Sequence, residues 1–296
     1  MPSTRDIRRR IRSVTSTAQI TKAMQMVASS KMRKAQQSAL AGRAYARLLH
    51  RLQREVLSHT TDYTDPLMEV RPVARRAVIV VGTDKGLCGA LNSNLFREAA
   101  RFDGRTTVFL AAGRKAAQFL ARTRRELVAE FTYRDTPQFA EARVIAQAAR
   151  DLFLSGEVDE VVVLFTAFVN TLTQRPTTAL FLPLSGERLL QAQAQADQTA
   201  EAQFQDSLAG LGEFQFEPDA PHVLGALLPH CLNYYLHQVL LEAKASEQSA
   251  RMVAMKNATD NAQQLIKHLT LEYNKIRQSG ITTELLEISS AAMALG

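Results

Sequence analysis

The sequence has few of the residues that would mark a secreted or membrane-spanning protein. Only two of its 296 residues are cysteines, Cys88 and Cys231. They lie far apart, so a disulfide framework is excluded and reduced thiols are expected. No apolar run approaches the ~18–20 residues that a transmembrane helix needs, and the arginine-rich N-terminus lacks the apolar stretch of a signal peptide. We therefore expect a soluble protein that is not exported.

The recognised motifs of catalysis and cofactor binding are also missing. The loop Val81–Ala90 follows a predicted strand, but it matches neither the P-loop pattern nor G-x-G-x-x-G. No serine lies in a G-x-S-x-G motif. His230 and His237 share a helix face, but no carboxylate lies three or four residues after His230, as a metal site would require. The sequence thus predicts no catalytic residue, no cofactor and no metal site, and it indicates that the loop is a tight turn in which Asn92 or Ser93 caps a helix.

Proline and glycine are scarce in two long segments. Residues 3–57 contain no proline and one glycine, Gly42, and after Pro229 the last segment contains no proline and only Gly280 before the final residue. Apolar residues recur in both segments at helical, nearly heptad spacing, which is typical of helices that pair with another helix. At ~1.5 Å per residue each helix is too long for a compact domain of this size. The sequence predicts two long helices that pack on each other.

The region between these helices has a different pattern. Short apolar runs alternate with amphipathic segments, which predicts βαβ crossovers and a Rossmann-like α/β domain with about five strands. The predicted strands are residues 77–81, 106–111, 127–131, 160–168 and 177–184, and the predicted helices are residues 91–101, 113–123 and 137–155. We expect the glutamine- and alanine-rich region 185–217 to be a mobile connector.

These elements predict a fold class, α/β plus a long antiparallel α-helical coiled coil. The expected domains are an N-terminal helix at residues 1–58, an inserted α/β domain with connectors at 59–217, and a C-terminal helix at 218–296. Since the second helix is the longer one, we expect its last residues, about 277–296, to protrude as an unpaired tip.

Positive charge is concentrated in the first helix. Residues 1–57 contain 13 lysines and arginines but 2 acidic residues, whereas the whole chain carries a net charge of +7. A basic amphipathic helix indicates binding to nucleic acid, anionic lipid or an acidic protein surface. The first aromatic residue is Tyr45, so side chains for base stacking are lacking. A basic coiled-coil protein that associates with nucleic acid remains an alternative, as does a nucleotide-binding enzyme built on the α/β domain.

Several long strings of residues resemble the gamma subunit family of the ATP synthases. The resemblance covers the chain in order and is carried by Ile20–Ala28 (ITKAMQMVA), Ser30–Lys34 (SKMRK), Thr83–Gly89 (TDKGLCG), Ala245–Ala262 (ASEQSARMVAMKNATDNA), Tyr273–Gln278 (YNKIRQ) and Ile281–Ile288 (ITTELLEI). It implies a central rotor that turns inside a ring of three alpha and three beta subunits and couples proton flow to ATP synthesis or hydrolysis, with no active site of its own. The implied partners are alpha, beta, the epsilon subunit and the membrane-embedded c-ring. The implied location is peripheral, on the cytoplasmic face of a bacterial inner membrane.

The resemblance also implies which residues take part in coupling. Positions that match family residues in contact with beta or in coupling are Met24, Arg251, Gln278, Thr282 and Glu284. The basic residues expected to face an acidic loop of beta are Lys22, Lys31, Arg33 and Lys34. From its composition alone, the uncharged end with Ile288, Met293 and Leu295 is expected either to be a frayed tail or to turn inside an apolar sleeve.

Overall fold

A computed structural model describes residues 4–58, 65–184, 217 and 219–295 of the chain. Its residues fall into two compact units, Met1–Ser30 with Arg251–Gly296, and Lys31–Ala250. The first helix, α1, spans Thr4–Ser58, and the last helix, α5, spans Ala220–Leu295. Each helix therefore contributes residues to both units. The predicted connector at 185–217 lies, apart from Glu217, outside the described residues.

The first unit consists of the beginning of α1 and the end of α5. The buried residues Met255, Ala262 and Leu269 of α5 are seven positions apart, which is the spacing of a coiled-coil seam. The hydroxyl oxygens of Thr21 and Thr259, both buried, are 2.7 Å apart and share a hydrogen bond between the two helices. A pair of short polar side chains at this point favours one register, because the hydrogen bond between the helices would be lost if they slid, and each hydroxyl would keep only the carbonyl oxygen of its own helix.

The second unit contains a five-stranded sheet in the order β3-β2-β1-β4-β5. The strands are β1 (Arg76–Val81), β2 (Thr107–Ala112), β3 (Leu127–Phe131), β4 (Glu160–Phe168) and β5 (Gln174–Leu182). Strands β1 to β4 are parallel to one another, whereas β5 pairs with β4 in the antiparallel direction. The central strands are almost completely buried because helices cover both faces, as expected for parallel sheets.

Three helices connect the parallel strands, namely α2 (Leu91–Ala99), α3 (Arg114–Arg122) and α4 (Phe139–Leu154). A 3-10 helix, Pro66–Met68, precedes β1. Alternate strand residues point to opposite faces: Val78 and Val80 pack with α2 and α3, whereas Ala77 and Ile79 pack with α4 and α5. Helix α5 thus forms part of the domain core as well as pairing with α1.

Residues 31–58 of α1 and 220–250 of α5 run antiparallel in this unit. The hydroxyl of Tyr234 donates a hydrogen bond to the carbonyl oxygen of Gly42 at 2.5 Å, and one turn further along α1 the hydroxyl of Tyr45 is 2.6 Å from Nε2 of His230. A Cβ atom on Gly42 would lie 2.5 Å from the Tyr234 hydroxyl. Glycine at position 42 therefore allows the tyrosine to approach the backbone of α1.

The predicted fold class is confirmed: an α/β domain is inserted between two helices that form an antiparallel coiled coil. The strands and helices of the domain lie within a few residues of their predicted positions. Between β4 and β5, where no helix was predicted, the connection is a short hairpin loop at 169–173, and β5 is antiparallel to β4. The predicted domain boundaries at 58 and 217 stay a prediction.

We expect the stability of this unit to fall at alkaline pH because of Tyr235. Burial raises the pKa of Tyr235 to about 12, and the nearby Glu242 carboxylate adds to the rise. The pKa is higher in the folded state, so the stabilising effect is complete below the unfolded value near 10 and is lost as the pH rises to about 12. The expected loss is roughly 2–3 kcal/mol, at about 1.4 kcal/mol per pKa unit. Urea unfolding at pH 9 and pH 11.5 measures this loss. In Tyr235→Phe the free energy of unfolding should decrease less between the two pH values than in the wild type. Equal decreases in the two proteins would contradict the prediction.

Candidate functional site

The four basic residues of α1 that the sequence predicts as one contact set fall into two classes in the structure. Lys22 is exposed in the first unit, and Arg33 and Lys34 are exposed in the second. Lys31 differs, because its Nζ donates a hydrogen bond to Oδ2 of Asp135 at 2.5 Å. Exposed cations can attract an acidic partner, whereas the charge of Lys31 is already balanced within the chain. The four basic residues predicted as one set therefore have different surroundings.

Two predicted contact positions of the first unit are partly or fully covered. Met24 is half-buried on α1, and Arg251 is buried in α5 with 8% of its surface exposed. Residues so covered can reach a partner only through a small part of the side chain. Their effect on a partner would depend mainly on how they shape the surrounding surface.

The part of α5 from residue 277 to residue 291 is exposed. Every residue from 277 to 291 is exposed, including Gln278, Thr282 and Glu284. The Thr282 hydroxyl donates to the carbonyl oxygen of Gln278 at 2.9 Å, within the same helix. Ile288 and Met293 expose 67% and 81% of their surfaces, and the side chain of Leu295 lies outside the described residues. Large apolar side chains so exposed near a helix end form a surface that a partner would cover.

The loop after β1 uses its polar groups within the fold. The Thr83 hydroxyl donates to the carbonyl oxygen of Lys85 at 2.8 Å and accepts from the amide of Asn92 at 2.8 Å. The Asp84 carboxylate accepts from the backbone N–H of Arg114, at the positive end of α3. The predicted cap by Asn92 or Ser93 is wrong, since Ala90 is the N-cap of α2 and makes no side-chain cap. Asn92 instead ties the first turn of α2 to the loop.

The histidines on α5 also have structural partners. His230 contacts Tyr45, and Nε2 of His237 is 3.2 Å from the carbonyl oxygen of Pro137. Among residues 4–58, 65–184 and 219–295, no group of three or more histidine, cysteine or acidic side chains is placed to hold a metal ion. Within those same ranges, no helix is both long and apolar enough to cross a bilayer.

A group of charges, two of them buried and two partly exposed, was not predicted from the sequence. Lys244 of α5 is 1% exposed, and its Nζ lies 3.0 Å from Oε2 of Glu247 and 3.4 Å from Oδ1 of Asp135. Asp135 also accepts the hydrogen bond from Lys31 of α1. We call Lys31, Asp135, Lys244 and Glu247 the charge cluster. It joins both long helices to the connection between β3 and α4, and it contains two positive and two negative groups.

The surroundings of the charge cluster alter the titration of two residues. The hydrogen bond from Lys31 lowers the pKa of Asp135, and the charge of Lys244 adds to this effect. Burial raises the pKa of Tyr133 well above its usual value, with a smaller contribution from Glu247. The Tyr133 ring lies 5.1 Å from Nζ of Lys244, and its hydroxyl donates to the carbonyl oxygen of Gly82 at 2.8 Å. At neutral pH the carboxylate of Asp135 is therefore ionised and the phenol of Tyr133 is neutral.

Comparison with known proteins identifies the family. A family model described as ATP synthase matches residues 3–295. Proteins named ATP synthase gamma chain from Opitutus terrae and Roseiflexus castenholzii are 48% and 46% identical, the first over 99% of both chains and the second over 100% of this chain and 99% of the relative. A chain in the structure of the Euglena gracilis mitochondrial ATP synthase has a similar fold, with a TM-score of 0.70, 19% identity and coverage of 99% of this chain and 94% of that chain. The chain belongs to the ATP synthase gamma chain family.

Proposed function

We propose that this chain is the central rotor subunit of an F-type ATP synthase and couples transmembrane proton flow to ATP synthesis or hydrolysis. The observation that carries the proposal is the match, over nearly all of the chain, to proteins named ATP synthase gamma chain at 40–48% identity. The paired helices and the exposed end of α5 are features that a rotor inserted into a ring of subunits would need. No observation on this chain favours the nucleic-acid alternative.

The proposed partners are the alpha and beta subunits, the epsilon subunit and the c-ring. Contact with the membrane would be indirect, through the c-ring, on the cytoplasmic face of a bacterial inner membrane. The subunit would have no active site, because it acts by presenting different faces to each beta subunit in turn. A partner can be driven between states only by contacts that differ between those states.

The proposed contact residues differ in how directly they would act. Lys22, Arg33 and Lys34 are exposed and would attract an acidic surface of beta. Gln278, Thr282 and Glu284 offer exposed polar groups near the end of α5, and Ile288, Met293 and Leu295 supply its apolar tip. The half-buried Met24 and the buried Arg251 would act mainly through the shape of the surface. Lys31 would act through its ion pair with Asp135.

Co-purification tests the proposed function. Membranes from cells that express an affinity-tagged chain are solubilised in mild detergent, and the captured complex is analysed by mass spectrometry. The expected result is stoichiometric alpha and beta subunits together with epsilon and the c subunit. Nuclease treatment before capture serves as a control, because loss of all partners after that treatment would favour the nucleic-acid alternative. Capture of the chain without any alpha or beta subunit would contradict the proposal.

Reversing the charge of the exposed basic residues should weaken coupling. We expect Arg33→Glu with Lys34→Glu to reduce ATP-driven proton pumping severalfold, because each reversal replaces attraction to an acidic surface of beta by repulsion of about 1 kcal/mol or more. Pumping and ATP hydrolysis are measured on the same inverted vesicles. Arg122→Glu, an exposed reversal on the α/β domain, is the matched control. Equal pumping in the double variant and in the control would contradict the prediction.

Removing the apolar tip should impair torque without unfolding the chain. The residues from 277 to 291 are exposed. We therefore expect deletion of residues 289–296 to leave the free energy of unfolding of the isolated chain within about 0.5 kcal/mol of the full-length value. In the assembled complex we expect partial loss of torque and retention of ATP hydrolysis. A complete loss of hydrolysis in an assembled complex would show that the tip does more than support rotation.

A further inference from the structure

The charge cluster lies where the α/β domain meets the two long helices. Lys244 and Glu247 are three residues apart on α5 and so share a helix face, Asp135 follows β3, and Lys31 belongs to α1. The Asp135 carboxylate is the central member, because one oxygen contacts Lys31 and the other contacts Lys244. A single acidic side chain of the domain therefore links the domain to both helices.

A second polar attachment lies beside the first. The Ser249 hydroxyl donates to the carbonyl oxygen of Thr171 at 2.8 Å, and the backbone N–H of Phe168 donates to Oε1 of Glu242 at 3.1 Å. Both contacts fix α5 to the hairpin between β4 and β5. The segment 242–249 is thus held at two places on the domain, the β3–α4 connection and the β4–β5 hairpin.

Most of the remaining contacts of α5 with the domain are apolar, apart from His237, whose Nε2 is 3.2 Å from the carbonyl oxygen of Pro137. Its other buried residues in this unit that join the domain core are Leu224, Leu228, Leu232, Leu236, Val239, Leu240 and Ala243. Apolar contacts stabilise packing but depend weakly on direction. Hydrogen bonds and buried ion pairs require a defined geometry, since a displaced partner leaves a buried charge unsatisfied. The polar segment therefore adds a directional restraint on α5 to the close packing of the apolar segment.

The use of charge at this position needs a reason other than stability. Apolar side chains of similar volume often stabilise a buried site as well as an ion pair does, because desolvation offsets the attraction. A lysine that is 1% exposed among carboxylates is thus better explained by the geometry that it imposes. We infer that Lys244, with Asp135 and Glu247, is a positioning residue that fastens the α/β domain to the paired helices and passes torque between them.

This inference rests on the proposed rotor function. In a rotor driven from the membrane, the α/β domain would receive the force, and the helices would deliver it to the ring of catalytic subunits. A compliant junction would let the domain turn ahead of the helices under load. Without a load, a softer junction would leave the rate of ATP hydrolysis unchanged.

The test measures the torsional stiffness of the junction in the assembled complex. The complex is immobilised through its beta subunits, and a bead is attached to a biotinylated peptide inserted after Gly104, where the surroundings are open. The angular variance of the bead is recorded in the nucleotide-stalled state. Because the charge cluster is one of several contacts that hold α5 to the domain, its removal should lower the stiffness of the junction and raise the angular variance of the bead.

The test variant is Lys244→Met with Glu247→Gln, which removes both charges of the α5 pair together. Asp135→Asn, at a site whose side chain is 49% exposed, provides a second variant that should assemble even if the first does not. Arg101→Met with Glu98→Gln is the matched control, because it removes an exposed ion pair of the same i,i+3 spacing on the same domain. Lys244→Arg, which keeps the positive charge, should restore most of the stiffness.

The expected result is an increased variance in both test variants, an unchanged variance in the control and unchanged unloaded ATP hydrolysis in all of them. Proton pumping against a gradient should fall in the test variants only. An assembled Asp135→Asn complex with the variance of the wild type would overturn the inference. A wild-type bead that never rotates on addition of ATP would instead contradict the proposed function, so the two failures are distinguishable.

Discussion

Replacing Gly113 with alanine is expected to lower the free energy of unfolding of the α/β domain by about 3–5 kcal/mol. Gly113 has a φ of +103°, a conformation that side chains with a Cβ rarely adopt, and it directly precedes α3. A Cβ at this position would lie 2.5 Å from the carbonyl oxygen of Gly82. Neither group can move easily, because the N–H of Gly82 is bonded to Ala112 and the N–H of Gly113 to Phe131.

Alanine variants at two other glycines measure the cost of backbone strain without steric overlap. Gly156 has a φ of +77°, but a Cβ added there would meet no atom within 4 Å, and Gly104 has open surroundings without a positive φ. Alanine should therefore cost about 1 kcal/mol at position 156 and close to zero at position 104. Urea unfolding followed by circular dichroism measures all three, since the chain contains no tryptophan. A Gly113→Ala variant no less stable than Gly156→Ala would contradict the prediction.

The second large effect is expected for Lys244→Met. This change places an apolar group beside Glu247, a buried carboxylate whose side chain is 3% exposed and which lies 3.0 Å from the lysine in the wild type. The expected loss of stability is about 3–5 kcal/mol, the range observed when one partner of a buried ion pair is removed. The measurement is the free energy of unfolding of the single variants, Lys244→Met and Glu247→Gln, and of the double variant.

The double variant tests whether the side chains of Lys244 and Glu247 stabilise each other. Because Glu247→Gln removes the charge that Lys244 balances, Lys244→Met with Glu247→Gln should be more stable than Lys244→Met alone, and the two changes should be non-additive by about 1–3 kcal/mol. The exposed pair Arg101 and Glu98 should show a coupling below about 1 kcal/mol. Strictly additive effects at positions 244 and 247 would show that the two side chains do not stabilise each other.

The sequence was sufficient to predict most of the architecture, for physical reasons that differ between elements. The long helices follow from the periodicity of apolar residues such as Ile7 and Leu269, and β1 and β4 follow from unbroken apolar runs that only a strand buried on both faces can accommodate. The direction of β5 was harder to predict, because its pattern is compatible with either pairing and the short connection at 169–173 determines the antiparallel one.

The candidate site was predicted less completely. The spacing of Lys244 and Glu247 within a segment of small and apolar residues was a visible signal of a buried pair, but Asp135 is distant in sequence and nothing local connects it to them. In the sequence, Lys31 likewise does not differ from the other basic residues of α1. Only the folded structure shows that it lies beside Asp135. Pairing of charges from separate elements depends on tertiary packing, which a single sequence does not reveal.

The contacts between α1 and α5 also bear on how the chain folds during synthesis. The hydrogen bond of Thr21 joins residues 238 positions apart in the sequence, and that of Tyr234 joins residues 192 positions apart. The ribosome therefore releases α1 long before its partner exists, with the apolar stripe around Ile7 and Ala28 still uncovered. Such late, non-local pairing slows folding and favours aggregation of the waiting segment. We expect newly made α1 to require protection by a chaperone until translation reaches α5.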